Sequence, residues 1–463
     1  MIKYSTASYI ARTVFLTAIT GFLFGFDTAI ISGALKFIMR DLSINDTDIV
    51  LQEYIVSAVP FGALTGAIFS KPSSLLIGRR FSILVTAAFF FLGTVIAVTS
   101  NSVDILIIGR FFIGIGVGLS SMIVPMYLSE ISPSSIRGRL VFCYQLAGTI
   151  GLLAAFITNY VFSSSENWRC MFLVGLFPSL LLLFGIFILP ESPHFLVIKR
   201  KYSEAKRVIT KIRCDSPLAD KQLEEIKSVD ISQTTFLKLL LKPVGPITFL
   251  CVLLFALQQL SGINIIMYYS PTIYQKAGFT ETNQQLLASL LNGLVFVIAT
   301  VVGTWIVDRV GRKKLFFIGS VGMLCFLIVL GTIYNGAFDY YPLRSRMFLA
   351  IFAILGHIAF FAISLGPIPY LIMSELFPLR IKESGMALVS CSNWSFNLVV
   401  STSFLSIVNS LTIAYTFYFY AFCTFLGIIF VFFFMPETKD ISLEQIEKNI
   451  FSGNKSRFIG TNN

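Results

Sequence analysis

VFLTAITGFLFGFDTAIISGALKFI, residues Val14 to Ile38, carries only two charged side chains, Asp27 at its centre and Lys36 near its far end. A run of this length is too long for a strand and lacks the alternation of a half-buried one. It fits the about 20 apolar residues with which a helix crosses the ~30 Å hydrocarbon core of a bilayer. A cleaved signal peptide is the competing reading, because Lys3 and Arg12 give the run a basic start. Its length and the central Asp27 argue against that, and the run is read as a first membrane helix.

Similar runs fill the chain. They cover residues 14–38, 49–70, 81–100, 103–128, 140–162, 168–189, 246–270, 286–307, 315–334, 347–373, 385–408 and 413–435, and are numbered helix one to helix twelve. Of the 463 residues, 56% are hydrophobic and 13% charged, with 47 Phe, against about 25% charged in a soluble domain. Only helices or closed barrels satisfy backbone polar groups in lipid, and continuous rather than alternating runs select helices. With the N-terminus inside, 28 of the 35 Lys and Arg fall on the cytoplasmic side and six at the outer side, leaving Arg110 mid-span. The positive-inside rule then places both termini in the cytoplasm. The net charge of +11 is a topology signal, not a nucleic-acid patch. All seven Cys except Cys214 lie in the expected spans. They are read as inert buried thiols, with no disulfide framework, metal spacing or cofactor constellation.

Short signatures occur twice in the same order. IGRR at Ile77 to Arg80 answers VGRK at Val310 to Lys313, SEISPSSIRGR at Ser129 to Arg139 answers SELFPLRIK at Ser374 to Lys382, and PESP at Pro190 to Pro193 answers PETK at Pro436 to Lys439. The offsets, 233, 245 and 246 residues, are too regular for chance and divide the helices into two repeats of six. The expected fold is an all-α membrane protein of twelve transmembrane helices in two six-helix repeats. Residues 1–193 form the first bundle, 194–245 a linker, 246–435 the second bundle and 436–463 a cytoplasmic tail. The linker is charged with amphipathic patterns such as SEAKRVITKIR, which predicts short helices on the cytoplasmic face. Parallel repeats of this kind put a substrate site between bundles near the bilayer midplane.

Polar side chains inside the spans carry the chemistry. An ionised Asp at a helix centre costs about 2.5 to 3.5 kcal/mol to insert, so Asp27 needs a partner, a proton or a wet cavity. Arg110 lies within side-chain reach in depth and is the expected partner. In helix seven, Gln258, Gln259, Asn264, Tyr268 and Tyr269 interrupt an apolar span, and amides offer both donors and acceptors to a neutral ligand. In an unbroken helix Gln258 and Asn264 point about 120° apart, so facing one cavity requires a distortion. Ser261 and Gly262 lie between them to permit it. The competing readings are a fixed structural salt bridge and interhelical packing amides. His357 is read as a packing residue.

The whole chain resembles the sugar porter family of the major facilitator superfamily, and within it the bacterial galactose, arabinose and xylose proton symporters. The resemblance rests on GFLFGFDTAIISGA at Gly21 to Ala34, GRFFIGIGVG at Gly109 to Gly118, PMYLSEISPSSIRGR, PESPHFL, QQLSGINIIMYY at Gln258 to Tyr269, VDRVGRKK, GPIPY and the tail PETKDISLEQIEKNI. It implies the major facilitator fold and transport of a hexose or pentose, such as galactose, glucose, arabinose or xylose, by alternating access with a proton. It gives Asp27 the proton and Arg110 the stabilisation of the ionised form. It adds Phe24, Gln145, Asn292, Gly366, Tyr370, Asn393 and Trp394 to the sugar contacts of helix seven. It makes latches between the halves of Arg79, Arg80, Glu130, Arg137, Glu191, Asp308, Arg312, Glu375, Lys382 and Glu437, with a solvated charged loop as the bland alternative.

Two positions depart from the family pattern. Leu75 stands where the first signature usually has an acidic or amide residue, whereas the second keeps Asp308. Tyr370 ends GPIPY where the family usually has Trp. An uncoupled facilitator would not need Asp27, and a membrane sugar sensor would carry a longer tail. No nucleophile or metal constellation suggests an enzyme. The expected partners are a monosaccharide, protons and the lipid bilayer, for a monomer in a bacterial inner membrane.

Overall fold

The computed structural model describes residues 2–45, 47–132, 137–213, 216–228, 239–378, 381–439, 441, 443–452 and 459. Among them, eleven helices are long and apolar enough to cross a membrane. The twelfth, helix eleven at Lys382–Leu411, has 30 residues but is interrupted by Ser and Asn along its length. Helices one to five are Ile2–Asp41, Ile49–Ile77, Arg79–Val98, Val103–Ile131 and Arg137–Val161. Helix six is divided into Trp168–Leu173 and Leu176–Gly185. Helices eight, nine and twelve are Thr282–Val310, Arg312–Tyr334 and Ile413–Phe434. Helix one therefore starts well before the expected Val14, and its extension brings Tyr9 within 5.9 Å of the Lys211 ammonium in the linker.

Helices seven and ten are broken. Helix seven runs Gly245–Gln259, Ile263–Tyr268 and Ser270–Lys276, and helix ten runs Leu343–Ile363 and Ile368–Leu376. The first break has a local cause: Gly262 sits at φ +78°, and a Cβ there would also meet the Tyr420 ring at 3.0 Å. The left-handed conformation strains any other residue. In helix ten, Pro367 and Pro369 lack the N–H that would continue the ladder, and the Gly366 N–H turns back to the Phe361 carbonyl at 2.9 Å.

Within the first set, helix one packs on helix five and helix two on helix four. Small residues allow the approach: a Cβ on Gly25 would lie 1.8 Å from the Gly148 carbonyl oxygen. Within the second set, helix nine packs on twelve and helix eight on ten. The sets meet along two seams, helix two against eleven and helix five against eight. Outward-facing surfaces carry exposed Phe177, Phe184, Trp305 and Phe348, as lipid-facing helices do. Between the sets, helices Pro193–Ile198, Tyr202–Arg213 and Ser216–Ser228 share a small apolar core that includes Leu196, Ile209 and Leu223.

Candidate functional site

A cavity of about 90 Å³ lies between the two sets. Helix one contributes Phe24 and helix five Gln145, while helix seven gives Gln258, Gln259, Asn264 and Tyr268. The broken helix ten adds Gly366 and Tyr370, and helix eleven adds Asn393 and Trp394. No charged side chain lines it among the described residues.

The amides form a connected network. Gln258 Nε2 donates to the carbonyls of Leu365 at 2.7 Å and Gly366 at 3.1 Å. The bonds hold the broken turn of helix ten and leave the Gln258 carbonyl oxygen for other work. Asn264 donates to the Gln259 oxygen, and Gln259 Nε2 donates to Asn393 Oδ1 at 2.5 Å. The break at Gly262 thus brings Gln258 and Asn264 to one cavity, as the spacing requires. The Tyr268 hydroxyl donates to Asn397 Oδ1 at 3.2 Å. Aromatic faces complete the lining: Phe24 meets Trp394 edge-on at 5.6 Å, and Tyr370 meets Phe255 edge-on at 4.7 Å. Trp394 Nε1 donates across the seam to Ser121 Oγ at 3.2 Å. Such a lining offers hydrogen-bond donors and acceptors together with aromatic faces.

One expected residue is elsewhere. Asn292 is fully buried but does not line the cavity. It accepts from the Tyr274 hydroxyl at 2.7 Å and donates to Ser270 Oγ at 2.6 Å, tying helix eight to the last segment of helix seven. Conversely, Thr28, Tyr144 and Asn397 line the cavity without having been singled out. Asn397 lies four residues after Asn393, one turn along the same face, which is the signal that could have found it.

Beside the cavity, Asp27 and Arg110 are buried together. Their closest charged atoms are 3.9 Å apart, in contact but beyond hydrogen-bond distance. Arg110 Nε instead donates to the Ile55 carbonyl at 2.8 Å, and its guanidinium lies 5.7 Å from the Phe172 ring. Asp27 Oδ2 and Arg110 Nη1 have no hydrogen-bond partner among the described residues, so the pair is held loosely.

The repeated signatures build two matching networks at the basic end of the bundle. Gly78 and Gly311 begin helices three and nine at φ +90° and +94°. Glu191 accepts from the backbone N–H groups of Arg79 at 3.0 Å and Arg80 at 3.2 Å. Glu437 does the same for Arg312 at 2.9 Å and Lys313 at 3.1 Å. A carboxylate at a helix N-terminus satisfies orphan donors and the helix dipole together. Burial pushes the Glu191 carboxyl up, and the backbone N–H groups of Ser192, Arg80 and Arg79 pull it back. Arg79 pairs with Glu130 and Arg312 with Glu375, each at 3.0 Å. Ser192 and Thr438 donate to the same two glutamates. The Arg80 side chain reaches the carbonyls of Ile186 and Phe187 at the end of helix six, and Lys313 those of Phe432 and Met435 at the end of helix twelve.

These bonds each lie within one set of helices. The crossing contact comes from Glu383, whose carboxylate lies 3.8 Å from the Arg79 guanidinium. Glu383 follows Lys382 at the start of helix eleven. The side chains of Arg137 and Asp308 lie outside the described residues.

Two bundles of six membrane helices around a cavity lined by amides and aromatic rings, with no charged side chain among its described lining residues, define a multi-pass membrane carrier. The chain matches the family described as "Sugar (and other) transporter" over residues 13–450. It belongs to that family. It is 38% identical over 450 residues to the galactose-proton symporter of Escherichia coli (strain K12), covering 96% of this chain and 95% of that protein. It is 37% identical over 449 residues to the arabinose-proton symporter of the same organism, covering 96% and 94%. Among solved structures it matches the proton:xylose symporter XylE of the major facilitator superfamily, bound to 6-bromo-6-deoxy-D-glucose, with a TM-score of 0.83 at 30% identity over 96% of this chain and 99% of that one.

Proposed function

We propose that the chain moves a monosaccharide, a hexose or pentose, across the membrane by alternating access in symport with a proton. The observation that carries this reading is the cavity lined by amides and aromatic rings, with no charged side chain among its described lining residues and a loosely held Asp27–Arg110 pair beside it. Gln258, Gln259, Asn264, Asn393 and Gln145 bind hydroxyls. Phe24, Trp394, Tyr268 and Tyr370 cover the C–H faces of the ring, and Gly366 lets the sugar approach helix ten. Asn292 positions the last segment of helix seven instead of touching sugar.

Asp27 takes the proton. Its protonation removes the charge that holds Arg110 and lets the two bundles, residues 1–193 and 246–435, rearrange around the sugar. The basic end faces the cytoplasm, with both termini there, in a bacterial inner membrane. The protein works as a monomer and catalyses no covalent chemistry. The test is uptake of labelled galactose, glucose, arabinose and xylose in a transporter-deficient host, with and without a protonophore. Protonophore-sensitive accumulation of at least one sugar is expected; equilibration without accumulation would reassign the chain as a facilitator.

A further inference from the structure

Glu53 is a buried carboxylate that the proposed mechanism leaves without a task. It lies in the second turn of helix two and is 3% exposed. Its Oε1 accepts from the Ser406 backbone N–H at 2.8 Å, and its Oε2 accepts from the Ser406 hydroxyl at 2.7 Å. Ser406 is near the last turn of helix eleven, so both bonds cross between the two sets of helices. They lie at the end opposite the basic networks. A carboxylate buried in a membrane helix is costly, and two charge-assisted bonds to one residue offset that cost.

Two other bonds that join the sets at this end have a different character. Lys36 Nζ to Thr282 Oγ1 at 2.8 Å is exposed to solvent, and Ser163 to Asn283 at 3.0 Å is a single neutral bond. The Glu53 bonds are buried and made by a charged group. At the basic end, the Glu383 that meets Arg79 belongs to the same helix eleven. Residues 383 and 406 are about 35 Å apart along that helix at 1.5 Å per residue. One rigid rod therefore carries a clamp at each end.

We propose that Glu53 is the outer gate residue of this transporter. Its grip on Ser406 closes the extracellular mouth, and opening toward the outside requires the carboxylate to let go. The assignment of this end as outer rests on the orientation given under Proposed function. Both clamps are engaged in this structure, Glu53–Ser406 at one end of helix eleven and Arg79–Glu383 at the other, so opening toward the outside releases the Glu53 end.

The test is a distance measurement in lipid nanodiscs. Spin labels are placed at Thr47→Cys and Ser410→Cys, two exposed positions on opposite sides of the seam, with the native cysteines replaced by serine. Glu53→Ala is expected to shift the ratio of wide to narrow distances about tenfold, the scale set by hydrogen bonds to a charged group. Ser406→Ala, which keeps the backbone donor, shifts it about threefold on the same scale, and Glu53→Gln falls between the parent and Glu53→Ala. In transport assays the external half-saturating sugar concentration falls along with the maximal rate, because the carrier waits open to the outside. If Glu53→Ala does not fold, Ser406→Ala and Glu53→Gln decide. An unchanged distance distribution in those two overturns the proposal and leaves Glu53 as static packing. The distances are read without sugar or a proton gradient, so they stand or fall separately from the sugar and proton assignments.

Discussion

Helix one and helix seven occupy equivalent places in the two repeats, as do helices four and ten, yet the members of each pair are built differently. Helix one is continuous over Ile2–Asp41 and helix four over Val103–Ile131. Helix seven is broken at Gly262 and again at Tyr269, and helix ten between Ile363 and Ile368. At the basic end, by contrast, the two repeats agree almost bond for bond, Glu191 matching Glu437 and Arg79–Glu130 matching Arg312–Glu375. Duplication has kept the anchors and let the cavity-facing helices diverge. The unbroken pair carries Asp27 and Arg110, and broken helix seven carries three of the six amides that line the cavity, Gln258, Gln259 and Asn264. Charges in a membrane need rigid surroundings to hold a partner in place, while a cavity that must reshape around a ligand needs deformable backbone.

The sharpest way to break this division is Asp27→Asn. If the continuous helices carry the coupling, the variant binds sugar and supports counterflow, yet loses accumulation against a gradient altogether. Accumulation that persists and remains sensitive to a protonophore would move the proton site elsewhere. Next in size is the loss at the broken helix. Gln258→Ala and Asn264→Ala should each weaken sugar binding about two- to tenfold, the equivalent of about 0.5 to 1.5 kcal/mol for a hydrogen bond, with protein levels unchanged. Titration of binding in detergent checks this, and unaltered affinity in both would make them packing amides.

Gly262→Ala probes the break itself. The positive φ should cost about 1 to 2 kcal/mol, read as a lower melting temperature, with slower transport as the segment resists its bend. An equal melting temperature would show that helix seven straightens at no cost. The smallest effect is expected from Tyr370→Trp, which should reorder the preference among sugars by a few-fold while leaving the maximal rate nearly unchanged. A changed rate with an unchanged order would make residue 370 a gating element.

Membrane spans and duplication were legible because lipid allows few ways to satisfy a backbone and because the signatures repeat at nearly constant offset. The amides of helix seven were legible for a related reason, because a Gln or Asn in an apolar span stands out, whereas Phe24, Gln145, Gly366, Tyr370, Asn393 and Trp394 followed from the family resemblance. Asn292 shows the limit, since an amide can serve a neighbouring helix as well as a ligand, and only the position of Tyr274 and Ser270 decides which. The charged networks were harder. Glu130 and its partner Arg79 are 51 residues apart in the chain, in two different signatures. Glu383 and Glu53 drew no attention because a charge near the end of a span reads as solvated until a second helix is seen to cover it.

Helix eleven has a consequence for how the protein is made. Its many Ser and Asn residues, together with Lys382 and Glu383 at its start, leave it the one membrane helix among the twelve that does not meet the apolar standard of the others. A segment of this kind partitions poorly into lipid as an isolated helix. Its polar groups find partners in other spans: Glu53 in helix two, Ser121 in helix four, and Gln259 and Tyr268 in helix seven. Helices two, four and seven precede it in the chain and are already made when helix eleven leaves the ribosome. Its insertion therefore depends on a scaffold assembled earlier, and late synthesis suits the span least able to enter the bilayer unaided.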